Sequence, residues 1–158
     1  MKMKAALMYG PNDICVEETE KPECPKDGLI LKIMSVGLCG SDIRNLTTDS
    51  RKGAYPFIYG HEIVGFVDEI GSEETKYKVG DRLFLFPGTY CMECDECISG
   101  HSENCSNTSV AKLAGTGGFA QYVAVSGEKI RRGGIYEIPD DVSFDAASLG
   151  EPLTSVFA

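Results

Sequence analysis

Four of the seven cysteines in this chain lie close together in one short segment. Residues 91–105 read CMECDECISGHSENC, which gives the spacing Cys-x2-Cys-x2-Cys-x7-Cys. Four thiols at this spacing suit a disulfide clasp, an iron–sulfur cluster or a zinc site. The candidate ligands are Cys91, Cys94, Cys97 and Cys105.

The start of the chain bears on the disulfide alternative. Its first residues, MKMKAALMYGP, hold an apolar run too short for a signal peptide. No segment approaches the roughly 20 apolar residues that span a bilayer. The expected location is therefore the cytoplasm, where thiols stay reduced, and this disfavours a disulfide clasp.

Two features favour zinc over an iron–sulfur cluster. The ferredoxin run usually carries proline after its last cysteine, whereas Ser106 follows Cys105 here. The segment is also acidic, with Glu93, Asp95 and Glu96, which suits a solvated lobe. Four thiolates around tetrahedral zinc form a closed structural site with no open position, so any substrate chemistry must lie elsewhere. We expect His101, inside this loop, to be a solvated residue.

A second set of chemically capable residues lies outside the lobe. Cys39 follows an apolar run in GLCGSD, and His61 lies in YGHEIVG. Taken singly, each is more often a packed or surface residue. Together with a carboxylate, either the adjacent Glu62 or the distant Glu151, they could form a catalytic zinc site with three protein ligands and one open position.

Short strands must position these residues. Apolar and alternating runs predict strands at 3–8, 14–17, 29–36, 62–70, 82–86 and 119–125. Eighteen glycines among so many short strands indicate a small barrel or sandwich. Gly65, inside a predicted strand, indicates a bulge or a tight barrel corner.

Helical signals are few. A short helix is predicted at 41–46, and another is predicted to run from its cap Ser143 to residue 149. The final residues, EPLTSVFA, look like a helix start with Pro152 at the first helical position.

Composition and charge narrow the class of protein. The chain has 158 residues, of which 42% are hydrophobic and 25% are charged, as in a globular domain. The net charge of -9 argues against nucleic acid or an anionic membrane as the partner, since both need a basic face.

Taken in order, these motifs resemble the catalytic domain of the zinc-dependent, medium-chain alcohol and polyol dehydrogenases. Within that family, EPL at 151–153 is similar to the polyol and threonine dehydrogenase branch. The matching stretches are GLCGSD around Cys39, YGHEIVGFVDEIG at 59–71, KVGDRL at 78–83, the four-cysteine segment, GGFAQYV at 117–123 and IPDDVSFDAASLGEPL at 138–153.

The resemblance implies a mainly β, GroES-like barrel with a few short helices over residues 1–150, including a structural zinc lobe at 88–110. It implies that 151–158 begin a helix leading to a Rossmann domain that binds NAD or NADP. The chain itself contains no Gly-x-Gly-x-x-Gly. We therefore expect the isolated chain to be inactive and the full-length protein to be a homo-oligomer.

The resemblance also implies roles for individual residues. Cys39 and His61 would bind a catalytic zinc, with Glu62 and Glu151 sharing the remaining place. Ser41 would hydrogen-bond a zinc-bound alcohol or polyol, whose hydride passes to the nicotinamide. A second, structural zinc would occupy the four thiolates of the lobe.

The sequence departs from the family pattern at three points. Glu74 stands where small or aliphatic residues are usual. Relatives often carry histidine where Arg44 stands, and that histidine can end a proton relay, whereas an arginine cannot usefully release a proton. Extra residues at 126–134, SGEKIRRGG, are expected to form a lengthened surface turn.

Two rival functions stay open, one of them an iron electron carrier and the other an assembly module. GroES-like barrels also serve as a co-chaperonin, so the chain could be a zinc-binding assembly module without a reaction. Such a module would not need the Cys39, His61 and Glu151 combination.

Overall fold

The computed structural model describes residues 1–49, 52–53, 55–74, 76–107 and 117–157. Within these ranges the chain folds mainly into strands, as the short apolar runs predict. The strands are β1 Lys2–Gly10, β2 Asp13–Glu20, β3 Leu29–Gly37, β4 Phe57–Ile58, β5 Glu62–Ile70, β6 Arg82–Leu85, β7 Tyr122–Val125 and β8 Ile135–Glu137.

The strands form two sheets. One has three strands in the order β2-β1-β4, and the other has five in the order β7-β3-β5-β6-β8. All described pairs are antiparallel, and a bridge between Ala5 and Ala120 links the sheets. The prediction of a mainly β fold is confirmed, although the described strands form two open sheets joined at this bridge and no closed barrel.

The start of β3 is buried in the middle of the five-stranded sheet. Successive residues Leu29, Ile30 and Leu31 are at most 1% exposed, so apolar side chains cover both faces of this part of β3. The main core cluster joins this sheet to the segments beside it. Its buried members are Leu29, Leu31, Ile63, Val67, Tyr77, Leu83, Leu85, Val123, Val125, Ile130 and Ile135.

Gly65 lies where the β3–β5 pairing is irregular. It pairs with Ile33, and the register then shifts so that Val64 faces Ser35. A Cβ added at Gly65 would overlap the carbonyl oxygen of Lys32 and lie 3.2 Å from Cα of Ile33. The predicted bulge is confirmed, and the glycine lets the two backbones approach closely.

Five α-helices are described, all of them short. Ser143 caps α4 as predicted, since its Oγ accepts a hydrogen bond of 3.1 Å from the backbone N–H of Ala146. The last helix begins at Gly150, so Pro152 is its third residue and the predicted first position is wrong. The helices are α1 Gly40–Thr47, α2 Asp95–Ile98, α3 Gly127–Arg131, α4 Phe144–Ser148 and α5 Gly150–Phe157.

The lengthened surface turn predicted at 126–134 is wrong. These residues form α3, capped by Ser126, and Ile130 and Lys129 are only 5% and 6% exposed. Ile130 joins the main core cluster, while the ammonium of Lys129 donates to the carbonyls of Pro87 and Gly88, each at 3.3 Å. The sequence EKIRR looks like a surface segment, but burial of one isoleucine and one lysine stem anchors it.

In the part of the chain that the structure describes, no helix combines the length and the apolar content needed to cross a bilayer.

Candidate metal centres

The four cysteines of the lobe converge on one point. Their sulfur atoms all lie within 4.8 Å of one another. Three separations are resolved: 3.6 Å between Cys91 and Cys105, 3.9 Å between Cys91 and Cys97, and 3.9 Å between Cys94 and Cys105. A tetrahedron with Zn–S bonds of about 2.3 Å has edges of about 3.8 Å, so the four sulfurs fit a zinc ion.

These distances also decide against the disulfide alternative. All seven cysteines are free. A disulfide requires an S–S distance of about 2.05 Å, well below the shortest separation in the lobe. The arrangement therefore favours a metal site, as expected for reduced thiols.

Backbone groups support the lobe cysteines. The N–H of Cys91 donates to Sγ of Cys105 at 3.4 Å, and the N–H of Cys94 donates to Sγ of Cys91 at 3.3 Å. The backbone N–H of Glu93 is the main cause of the lowered pKa of the Cys91 thiol. Such donors favour the thiolate, which is the form that binds metal.

The acidic residues of the lobe and His101 are solvated, as predicted. Glu93, Asp95 and Glu96 are exposed. The side chain of His101 is 63% exposed, and its Nδ1 lies 3.4 Å from a carboxylate oxygen of Glu103. Residues 108–110, the end of the predicted lobe, lie outside the described residues.

The second candidate centre brings together Cys39, His61 and Glu62, and we call it the Cys39 centre. One potential ligand atom from each residue lies within 4.8 Å of the others. Cys39 is the N-cap of α1 and Glu62 is the first residue of β5. Gly60, with φ of +92°, makes the turn that places His61 beside them.

The carboxylate of Asp42 contacts two of the three members of the Cys39 centre. Its Oδ2 accepts a hydrogen bond of 3.1 Å from the N–H of Cys39, and its Oδ1 lies 3.3 Å from Nδ1 of His61. The carboxylate is buried, since Asp42 is 1% exposed. With Nδ1 facing Asp42, Nε2 is the ring nitrogen available to a metal.

The electrostatics of the Cys39 centre follow from these contacts. The hydrogen bond to Asp42 is the main cause that raises the pKa of His61 to about 9, against the opposing effect of burial. The hydroxyl of Ser41, followed by its backbone N–H, lowers the pKa of the Cys39 thiol. Burial raises the pKa of Glu62, while the nearby His61 lowers it.

The two remaining predicted residues occupy different positions. Ser41 lies next to the Cys39 sulfur, to which its N–H donates at 3.5 Å. Glu151, in the first turn of α5, does not belong to the group of ligand atoms within 4.8 Å of one another. It is close enough to raise the pKa of both His61 and Glu62. Arg44 is exposed on α1.

Sequence reasoning missed Asp42 as a residue of this site. A signal was available in its place three residues after Cys39, which is the spacing of a capping box, and that box is present. Its contact with His61 depends on how β5 pairs with β3, which the motif alone does not show.

The two donor sets differ in the chemistry they allow. Four thiolates saturate a tetrahedral ion and are typical of structural zinc. One thiolate, one imidazole and one carboxylate leave a coordination position open, as in catalytic zinc sites. The geometry thus provides one closed and one open candidate site.

Known proteins are similar to this chain in sequence and fold. The chain is 36% identical to sorbitol dehydrogenase of Bacillus subtilis (strain 168) over 157 residues, which cover 96% of this chain and 43% of that protein. The crystal structure of galactitol-1-phosphate dehydrogenase from Escherichia coli superposes with a TM-score of 0.82 at 30% identity, covering 96% of this chain and 42% of that one.

A third similar protein, also of known structure, is a short chain alcohol dehydrogenase from E. coli CFT073 complexed with NADH. Its TM-score is 0.81 at 29% identity, and the match covers 97% of this chain and 43% of that one. The chain therefore spans less than half the length of the relatives it matches. The family described as the alcohol dehydrogenase GroES-like domain matches residues 25–139. The predicted resemblance is confirmed, and the chain belongs to the alcohol dehydrogenase GroES-like domain family.

Proposed function

We propose that this chain is the zinc-bearing catalytic domain of a nicotinamide-dependent alcohol or polyol dehydrogenase. The observation that carries the proposal is the convergence of Cys39, His61 and Glu62 on one point, with an open position left for a substrate. A zinc-binding assembly module would need only the closed four-cysteine site.

In this proposal the two centres hold two zinc ions with separate tasks. The four thiolates stabilise the lobe, whose described residues otherwise contain one short α-helix and one 3-10 turn. At the Cys39 centre, one thiolate and one carboxylate balance the charge of a divalent ion. Glu62 is the carboxylate inside the cluster and Glu151 lies outside it. One bound carboxylate suffices in this proposal, because two would weaken the acidity of the ion.

A zinc ion bound at the Cys39 centre supplies Lewis acidity, which lowers the pKa of a substrate hydroxyl. The chain's own residues do the rest. Ser41 lies beside Cys39, where its hydroxyl accepts the substrate proton and passes it on. Asp42 fixes the orientation of His61, and Glu62 fills the buried side of the centre. A nicotinamide cofactor on a further domain would accept the hydride from the substrate carbon.

The relatives support the substrate class and the cofactor. Two are named for sorbitol and galactitol 1-phosphate, which are polyols, and a third is an alcohol dehydrogenase with NADH bound. Each is more than twice as long as the matched segment. We therefore place NAD or NADP on a further domain that the helix α5 leads to, with residues 1–150 as the catalytic domain.

Metal analysis of the purified chain tests this function. Two zinc ions per chain would support the dehydrogenase domain, one zinc would support the assembly module, and iron would support an electron carrier. Oxidation of a polyol panel with NAD or NADP, measured on this chain joined to its nicotinamide-binding domain, tests the reaction itself. Absence of turnover with every polyol and simple alcohol would refute the proposed reaction.

A further inference from the structure

Gly37 and Glu62 lie directly opposite each other in the sheet. Gly37 is the last residue of β3, Glu62 is the first residue of β5, and the two are register partners. A Cβ added at Gly37 would overlap Oε2 of Glu62 and would lie 2.8 Å from its Cδ and 3.1 Å from its Cβ. The Glu62 side chain therefore occupies the space that a side chain at position 37 would need.

This placement explains how Glu62 reaches the Cys39 centre. His61 precedes β5, whereas Glu62 is its first residue, so the side chain of Glu62 is placed by the pairing with β3. By lying across Gly37, two residues before Cys39, the Glu62 carboxylate comes within 4.8 Å of the other two ligand atoms. Only 6% of Glu62 is exposed in this position.

A substitution at Gly37 would act on the carboxylate more than on the fold. The three atoms nearest to an added methyl belong to the Glu62 side chain, and the two closest are the carboxylate oxygen and its carbon. The carboxylate can move away by rotation, whereas Cβ of Glu62, at 3.1 Å, needs a shift of only a few tenths of an ångström. The expected consequence is a displaced ligand in a folded protein.

We infer that Gly37 is a positioning residue of the Cys39 centre, whose missing side chain makes the Glu62 carboxylate a resident ligand. The inference rests on the proposed function only in requiring that this centre binds zinc. It assigns to β3 a role in metal binding beyond delivering Cys39. The inference also distinguishes Glu62 from Glu151 as a ligand. The Glu62 carboxylate lies against the backbone at Gly37, whereas Glu151 lies outside the cluster.

A double-mutant cycle on zinc affinity tests the inference. Zinc affinity at the Cys39 centre is measured by chelator competition for the wild type, Gly37→Ala, Glu62→Ala and the double variant. We expect Gly37→Ala to weaken zinc binding by about tenfold or more in the wild-type background, as for loss of an oriented ligand. In the Glu62→Ala background, the same change should have less than about a twofold effect, because the coupled carboxylate is gone.

Gly40→Ala is the matched control. It is adjacent to Cys39, but an added Cβ there would meet nothing within 4 Å, so zinc affinity should not change. Thermal unfolding and retention of the lobe zinc show that each variant is folded.

The outcomes separate this inference from the proposed function. A wild-type chain that binds zinc only in the four-cysteine lobe would overturn both. A wild type with two zinc ions would overturn the role of Gly37 alone if Gly37→Ala leaves affinity unchanged. An equal loss of zinc affinity on Gly37→Ala with and without the Glu62 side chain would also overturn the role of Gly37.

Discussion

Asp42 supports the Cys39 centre without being one of its proposed ligands. It contacts both Cys39 and His61 through separate oxygens. Asp42→Asn keeps the shape but replaces one acceptor oxygen with a donor and removes the charge. Because partners of ligands typically affect metal affinity about 10–100-fold, we expect a loss of that size at the Cys39 centre, measured by chelator competition.

The control for this prediction is Asp13→Asn, on the exposed strand β2. It should leave both zinc affinities unchanged, and Asp42→Asn should leave the lobe zinc unchanged. An unaltered affinity in Asp42→Asn would mean that this carboxylate serves only to cap α1.

Lys129 gives a pH dependence of stability through a group that is a ligand of neither metal centre. Burial lowers its pKa from 10.5 to about 8, and no carboxylate partner offsets this among the described residues. Between these two values the unfolded chain binds more protons than the folded one, so the free energy of unfolding rises with pH. Lys129→Met keeps much of the buried stem but removes this rise.

The measurement is denaturant unfolding of wild type and Lys129→Met across the pH window from about 8 to 10.5 set by those two values. The stability of the wild type relative to the variant should increase with pH. Lys4→Met, at an exposed position, should show no such trend. If the difference in the free energy of unfolding between wild type and Lys129→Met does not change with pH, the lowered pKa of Lys129 is contradicted.

At the scale of elements, the pairing of β3 with β5 positions all three members of the Cys39 centre. A substitution at Gly65 tests how closely the two strands must approach. Gly65→Ala would push a methyl group into the backbone of Lys32 and Ile33. Overpacking of a central strand pair costs about 1–3 kcal/mol, so we expect a loss of that order in the free energy of unfolding. Denaturant unfolding measures it.

Gly10→Ala is the comparison for that substitution. An added Cβ at this position, at the end of β1, meets nothing within 4 Å. We expect its stability to stay within about 0.5 kcal/mol of the wild type, as for surface changes. Equal stabilities for Gly65→Ala and Gly10→Ala would show that the backbones at the bulge can separate without cost.

Elements with a strong local pattern were predictable from sequence. Continuous apolar runs predicted β3 and β5, and Ser143 predicted the start of α4. Elements that depend on distant partners were missed. The two-residue strand β4 exists through its pairing with β1, and α3 forms because the core accepts Ile130. Neither interaction leaves a periodic signal in so few residues.

At the scale of the whole molecule, the two metal centres differed in how far sequence could predict them. The lobe ligands are neighbours in the chain, so their spacing alone predicts the site. Cys39 and His61 meet only because β3 and β5 pair, and a motif resemblance was needed to join them. Preference for Glu62 over Glu151 and the space at Gly37 required the register itself.

The two centres share no ligand, so each should lose its metal independently. We expect Cys97→Ser and Cys39→Ser each to reduce the zinc content from two ions per chain to one. In Cys97→Ser, hydrogen exchange should accelerate within the lobe, because structural zinc contributes about 10–16 kcal/mol to folding of small peptides and this lobe has little other structure. In Cys39→Ser, exchange in the lobe should match the wild type.

Cys15→Ser, at an exposed cysteine outside both centres, should keep both ions. Loss of both ions in either ligand variant would mean that the centres fold as one unit, and an unchanged content would remove that cysteine from the ligand set.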